Sequence, residues 1–355
     1  MSERRAYLDI GVGETRGVVT LDGRPERLLI QRDGDAACQA LGAVVVGRVR
    51  KLERQLALAF VELGEGPDGV LVLRPDMPRV GEGQWIEVEI RAEARGDKGA
   101  QLRLAGEAAS PARVLKPAPD VAAELASLTK HPVKTGAEAR AMADAAAAEA
   151  LEQVFALPGG GSIAVERTRA LTAVDVDVGQ GAGGERAGGE AKRTTRAANL
   201  AALAAAARVL RLKGEGGLVV IDLAGRGHDG PALLAAARTA FGPDNPGVAF
   251  GPISRFGTLE LTVPRRRRSV AARLLDAAGR PTPLTTALRL LRAIEREALA
   301  DPGAQLRATA APDVAAAAAP YLKALTDRFG ARLSVAADPG RQAQAAGEAF
   351  EVKAG

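Results

Sequence analysis

Asp175 and Asp222 are the residues of this chain whose setting most directly suggests chemistry. Each closes a β-branched apolar run, Arg169 to Gly179 and Gly216 to Leu223, near the point where a buried strand should give way to a loop. A single carboxylate there is ordinarily a turn former or a helix cap. Two on neighbouring strands of one sheet would repel unless a cation sat between them. Asp175 and Asp222 are therefore candidate metal ligands, with Asp177 as a possible third. The donor set suits a hard ion, because Mg²⁺ takes one or two protein carboxylates and leaves its other positions to water and phosphate oxygens. Zinc is not expected, since the only cysteine is Cys38 and the only histidines are His131 and His228. No nucleophile-elbow pattern is present, and His228 sits in the loop-like run Gly225 to Gly230, where it reads as a solvated loop residue.

The elements that must carry these aspartates can be read around them. The glycine-rich stretch Val178 to Arg193 has the composition of a mobile loop over the site. Helix-period Leu and Ala positions follow from Asn199 to Leu212, with Gly214 placed as a C-cap. The next strand delivers Asp222 at its carboxyl end, where α/β sheets usually put their ligands. Upstream, three strand-like runs lie between residues 1 and 40. Five more, from Gly42 to Leu104, suggest a small OB barrel of the kind that often binds single-stranded nucleic acid. In that barrel Phe60 is either a stacking aromatic or a core residue, and Arg95 and Lys98 offer two cations on a glycine turn.

These segments together resemble the ribonuclease E/G family of endoribonucleases. The resemblance is carried by Leu157 to Thr168, Ala170 to Asp177, Asn199-Leu200, Leu210 to Leu212, Gly216 to Asp222 and Ile253 to Glu260, in that order. It implies an RNase H-like part at 1–40 continuing at about 107–157, an inserted OB barrel at 41–106 and a DNase I-like catalytic α/β domain at 158–264. A basic linker at 265–280 and a small C-terminal α/β domain at 281–355 follow, an α+β and α/β multidomain chain overall. It assigns a catalytic Mg²⁺, for which Mn²⁺ can substitute, to Asp175 and Asp222. It assigns RNA contacts to Phe60, Arg95 and Lys98, and Arg255 is a candidate to steady the substrate phosphate.

The chain also departs from the family. Asp177 stands where an Asn is usual, and Val70 where a second aromatic is expected. Residues 106–157 are alanine-rich and helical, without the 5′-phosphate sensor of larger members, and Lys134-Thr-Gly136 is explained as a helix start. The zinc link that joins subunits in those members is replaced by Arg and Ala. The run Arg265 to Arg268 is either a solvated stretch or a set of phosphate contacts.

Composition is compatible with this reading. Lys and Arg number 48 against 43 Asp and Glu, a net charge of +5 that favours an anionic partner only because the arginines cluster. With one cysteine, no signal peptide and no apolar span, a cytoplasmic protein without membrane contact is expected. The expected activity is Mg²⁺-dependent endoribonucleolytic cleavage of single-stranded, AU-rich RNA, leaving 5′-phosphate and 3′-hydroxyl ends. The alternative is an RNA-binding relative without catalysis.

Overall fold

The computed structural model describes residues 3–96, 98–109, 111, 113–179, 188–242, 247–341 and 349–354, with side chains of 188–192 excepted. Much of the glycine-rich stretch after Asp177, at 180–187, lies outside the described residues. The architecture is mixed α and β, with four separate sheets among the described residues.

Three antiparallel strands, Arg4–Gly11, Glu14–Leu21 and Arg24–Arg32, form the first sheet. Its alternation sends Ala6, Leu8, Val19 and Leu29 to one face, against Val121 and Leu125 of the helix Val121–Leu128. Tyr7, Val18, Leu28 and Ile30 go to the other, against the alanine stripe of the helix Ala137–Leu151. Helices from after the barrel thus complete the N-terminal unit. Lys134 extends the first strand through backbone bonds to Ala6 and Leu8 and precedes the helix capped at Gly136.

Between them, Val44–Glu53, Leu58–Glu62, Gly69–Val72, Trp85–Ala92 and Gln101–Glu107 close into a five-strand barrel, because the first strand pairs with the second as well as the fourth. Its interior holds Val45, Val49, Ala59, Val61, Leu71, Ile86, Val88 and Ile90. Phe60 is not among them: it stands half-buried on the outer face, opposite Lys51 on one side and Val70 on the other.

The sheet that carries the aspartates has six strands in the order Val154–Ala156, Ser162–Arg167, Thr172–Asp177, Gly217–Asp222, Thr258–Val263, Ala249–Ile253. It begins slightly before residue 158, since Val154–Ala156 supplies an edge. The helices Gly188–Lys213 and Gly230–Phe241 pack on one face through Ala202, Leu203, Ala206, Leu210, Leu233 and Phe241. The helix expected at Asn199 therefore starts earlier, and Gly214, at φ +66°, ends it.

The stretch 265–280 is not a free spacer. Its helix Val270–Leu274 buries Val270 and Leu274 against the N-terminal sheet's helix layer. Arg267 pairs with Glu93 and Glu124, and Arg268 and Arg273 pair with Asp35. The C-terminal unit has a three-stranded sheet, Leu333–Ala337, Leu306–Ala310 and Phe350–Ala354, covered by the helices Pro283–Ala300 and Pro312–Phe329. A buried ionic cluster joins it to the N-terminal sheet. Arg292 lies 3.2 Å from Asp9 and 2.9 Å from Glu14, and Arg16 lies 2.6 Å from Asp9. Among the described residues, no helix is long and apolar enough to cross a membrane.

Candidate functional site

The period-2 alternation of Thr172–Asp177 drives Val174 and Val176 into the helix-covered core and leaves Asp175 and Asp177 on the opposite, open face. Gly217–Asp222 repeats the pattern, with Val219 and Ile221 inward and Asp222 outward. The two strands are parallel, and Asp175 is the direct register partner of Asp222. Adjacent strands lie about 4.8 Å apart, so the two carboxylates stand side by side on one surface. Their outer neighbours are small, Ala164 beside Asp175 and Thr258 beside Asp222, which leaves the space above them clear.

Both aspartates are exposed, and neither has a hydrogen-bond or ion-pair partner among the described residues. Two adjacent anions without a counter-cation fit a hard divalent ion that keeps several waters, held by Asp175 and Asp222. Asp177 shares their face one pleat further on. It accepts a 2.8 Å hydrogen bond from the Gly179 backbone N–H, so one of its oxygens shapes the turn. Gly161, at φ +82°, crosses directly beneath this turn, where a Cβ would come within 2.2 Å of the Asp177 carbonyl oxygen. Among the described residues no group of three or more acidic, His or Cys side chains is placed to hold a metal.

Two further elements fix the surroundings of Asp222. Asn199, fully buried on the long helix, accepts from the Ala224 N–H and donates to the Ala224 carbonyl, both at 3.0 Å. This amide clamp holds the chain as it leaves Asp222. On the other side the Leu223 N–H donates to the Gly257 carbonyl, tying the loop to the hairpin turn Ser254 to Gly257. That turn, just before Thr258, the register partner of Asp222, carries Arg255 and Phe256, with the Arg255 guanidinium 4.7 Å from the ring centroid and Phe256 77% exposed. In the sequence Phe256 is marked only as a Phe inside a polar turn.

His228 is half-buried rather than solvated. Its Nε2 is enclosed with no hydrogen-bond partner among the described residues, beside a cavity of about 310 Å³ that Thr195, Arg196 and Arg226 also line.

The barrel residues are brought towards the same sheet unequally. Phe60 is the register partner of Val70, and Val70 of Gln101, so the three form one row across the barrel's outer surface. Gln101 and Arg95 line a cavity shared with Gly217 and Leu218 of the Asp222 strand. Lys98 is exposed on the turn that pairs it with Arg95, and no contact joins it to the acid pair.

Comparison with known proteins agrees with the motifs. Residues 113–268 match the Ribonuclease E/G family profile. Ribonuclease E of Buchnera aphidicola subsp. Acyrthosiphon pisum is 33% identical over 176 residues, 47% of this chain and 19% of that protein. Ribonuclease E of Escherichia coli is 33% identical over 159 residues, 42% of this chain and 15% of that protein. Ribonuclease G of Salmonella typhimurium is 30% identical over 123 residues, 34% of this chain and 24% of that protein. The matched region thus spans less than a fifth of the length of these ribonuclease E proteins, at 19% and 15%.

Proposed function

We propose that this chain, similar to the Ribonuclease E/G family over residues 113–268, is a metal-dependent endoribonuclease acting on single-stranded RNA. The observation that carries the reading is the register pairing of Asp175 with Asp222, two exposed carboxylates without a counter-charge among the described residues. Asp175 and Asp222 would hold Mg²⁺, or Mn²⁺ in its place, with Asp177 at the edge of the site. When bound, such an ion lowers the pKa of an attacking water and offsets charge on the scissile phosphate.

The chain's own residues do the rest. The carboxylates would fix where the reacting phosphate sits, and Arg255, on the turn whose Gly257 carbonyl accepts from the Leu223 N–H, would steady a phosphate oxygen. Asn199 keeps the loop after Asp222 from drifting. Phe60, Arg95 and Lys98 contribute binding along the barrel. AU-rich RNA is the expected substrate and 5′-phosphate and 3′-hydroxyl the expected ends.

A second reading, an RNA-binding relative without catalysis, draws support from the lack, among the described residues, of a group of three or more ligand side chains placed to hold a metal, Asp177 standing one pleat away from the pair. Incubating labelled AU-rich RNA with the chain and with Asp222→Asn, in Mg²⁺ or in EDTA, separates the two. Metal-dependent cuts that vanish in the variant while RNA binding persists are expected. Retarded RNA with no cuts under any condition supports the binder, and equal cleavage by the variant removes Asp222 from the mechanism.

A further inference from the structure

The four-arginine run does not act as a unit. Arg267 and Arg268 are turned into ion pairs with Glu93, Glu124 and Asp35, and Arg265, with Arg266 beside it, lines a cavity of about 470 Å³ between the barrel and the six-stranded sheet. Arg91 and Arg95 enter it from the barrel side. Among the described residues no acidic side chain lines it. Arg91 is paired at its rim with Glu89, at 2.9 Å and half exposed, a contact that contributes little.

The two inner guanidiniums, those of Arg95 and Arg265, have no ion-pair partner among the described residues. Nη1 of Arg95 is enclosed and has no hydrogen-bond partner among the described residues. Arg265 bonds the Gly216 carbonyl through Nε and lies flat across Gly217, where a Cβ would come within 2.5 Å of it. The strand start is glycine, at φ +87°, and so admits the guanidinium. Burial, then the like charges of Arg95 and Arg167, push the Arg265 pKa below its ordinary value. Two cations crowded in a half-enclosed space, one with an orphaned donor, leave room for an anion that would satisfy both.

The position of the cavity says which anion. Leu218 lines it and shares the open face of its strand with Asp222, two pleats further on. At about 3.3 Å per residue that places the cavity roughly 15 Å from the acid pair. On its other side Gln101 continues into the row Val70 and Phe60. The cavity is therefore a station on a surface path that runs from the outer barrel to Asp175 and Asp222, not a dead end.

We propose that Arg95 and Arg265, with Arg91 and Arg266 at the margin, bind an internal backbone phosphate of single-stranded RNA a few nucleotides from the one at the acid pair. This rests on the RNA reading above, but its test is made in EDTA and reads binding alone, so it stands or falls apart from cleavage. Single-stranded RNA oligonucleotides with either a 5′-hydroxyl or a 5′-phosphate are titrated by fluorescence anisotropy into the full chain, at rising KCl. In a second series, one linkage at a time is replaced by an uncharged methylphosphonate.

For the unaltered chain, one such linkage is expected to weaken binding by about tenfold and neighbouring ones much less. In Arg95→Gln/Arg265→Gln that same linkage should cost nothing. The slope of log affinity against log salt should fall by about 0.7, the value for one phosphate of a single strand. Arg95→Lys/Arg265→Lys, which keeps the charge, should retain the slope. A flat methylphosphonate profile in the unaltered chain overturns the proposal whatever the variants do. Dependence on the 5′-phosphate alone overturns it in favour of end recognition.

Discussion

Asp222→Asn should make the protein more stable without metal and blind to metal when it is added. Asp175 and Asp222 are register partners on adjacent parallel strands, with no cation partner among the described residues. Taking their charges as about 5 Å apart, Coulomb repulsion is about 3 kcal/mol at an effective dielectric of 20 and about 0.8 kcal/mol in a water-like one. Both side chains are exposed, so the lower figure applies. Removing one charge should therefore stabilise the metal-free protein by about 1 kcal/mol. In the unaltered chain, an ion at tenfold its dissociation constant adds about 1.4 kcal/mol. The two proteins should thus exchange rank: the variant is the more stable in EDTA, the unaltered chain in Mg²⁺ or Mn²⁺. Urea unfolding followed by hydrogen exchange at Val174 and Ile221 would read the six-stranded sheet separately from the other units. An equal response of both proteins to metal would refute the shared ion, and a less stable variant in EDTA would refute the repulsion.

Other consequences follow from the same geometry. Asn199→Ala removes both bonds to Ala224 inside the protein and should cost about 2 kcal/mol at two net hydrogen bonds. Its metal-dependent cleavage should fall more than its RNA affinity, and equal losses in a kcat and KM comparison would make Asn199 merely structural. Phe256→Ala takes away a 77% exposed ring on the turn before Thr258 and should weaken RNA binding by about 1–3 kcal/mol if a base stacks there; unchanged affinity rejects that role. Burial would raise the Asp9 carboxyl, but Arg16, Arg292 and Arg140 outweigh it and hold the group below its ordinary value. Its proton is bound less tightly folded than unfolded, so Asp9 lends stability above about pH 4 that is lost as the pH falls through the folded value. Asp9→Asn should flatten the acid limb of a urea-midpoint titration, and an unchanged limb would place the acid sensitivity elsewhere.

Much of the site was legible in the chain itself. Alternation of period two around Asp175 and Asp222 fixes which side chains face the core, because a half-buried strand admits only one inward set. The helix ending at Gly214 was readable from apolar periodicity and its capping glycine. Local pattern could not say which strand lies next to which. The register that sets Asp175 against Asp222, the outward face chosen for Phe60, and the pairing of Arg267 and Arg268 with Glu93, Glu124 and Asp35 while Arg265 turns to the cavity beside Arg95 were decided by tertiary structure. Each depends on contacts between segments distant in sequence. Charge and hydrophobicity set what a residue needs, whereas packing of whole sheets and helices sets which partner meets that need.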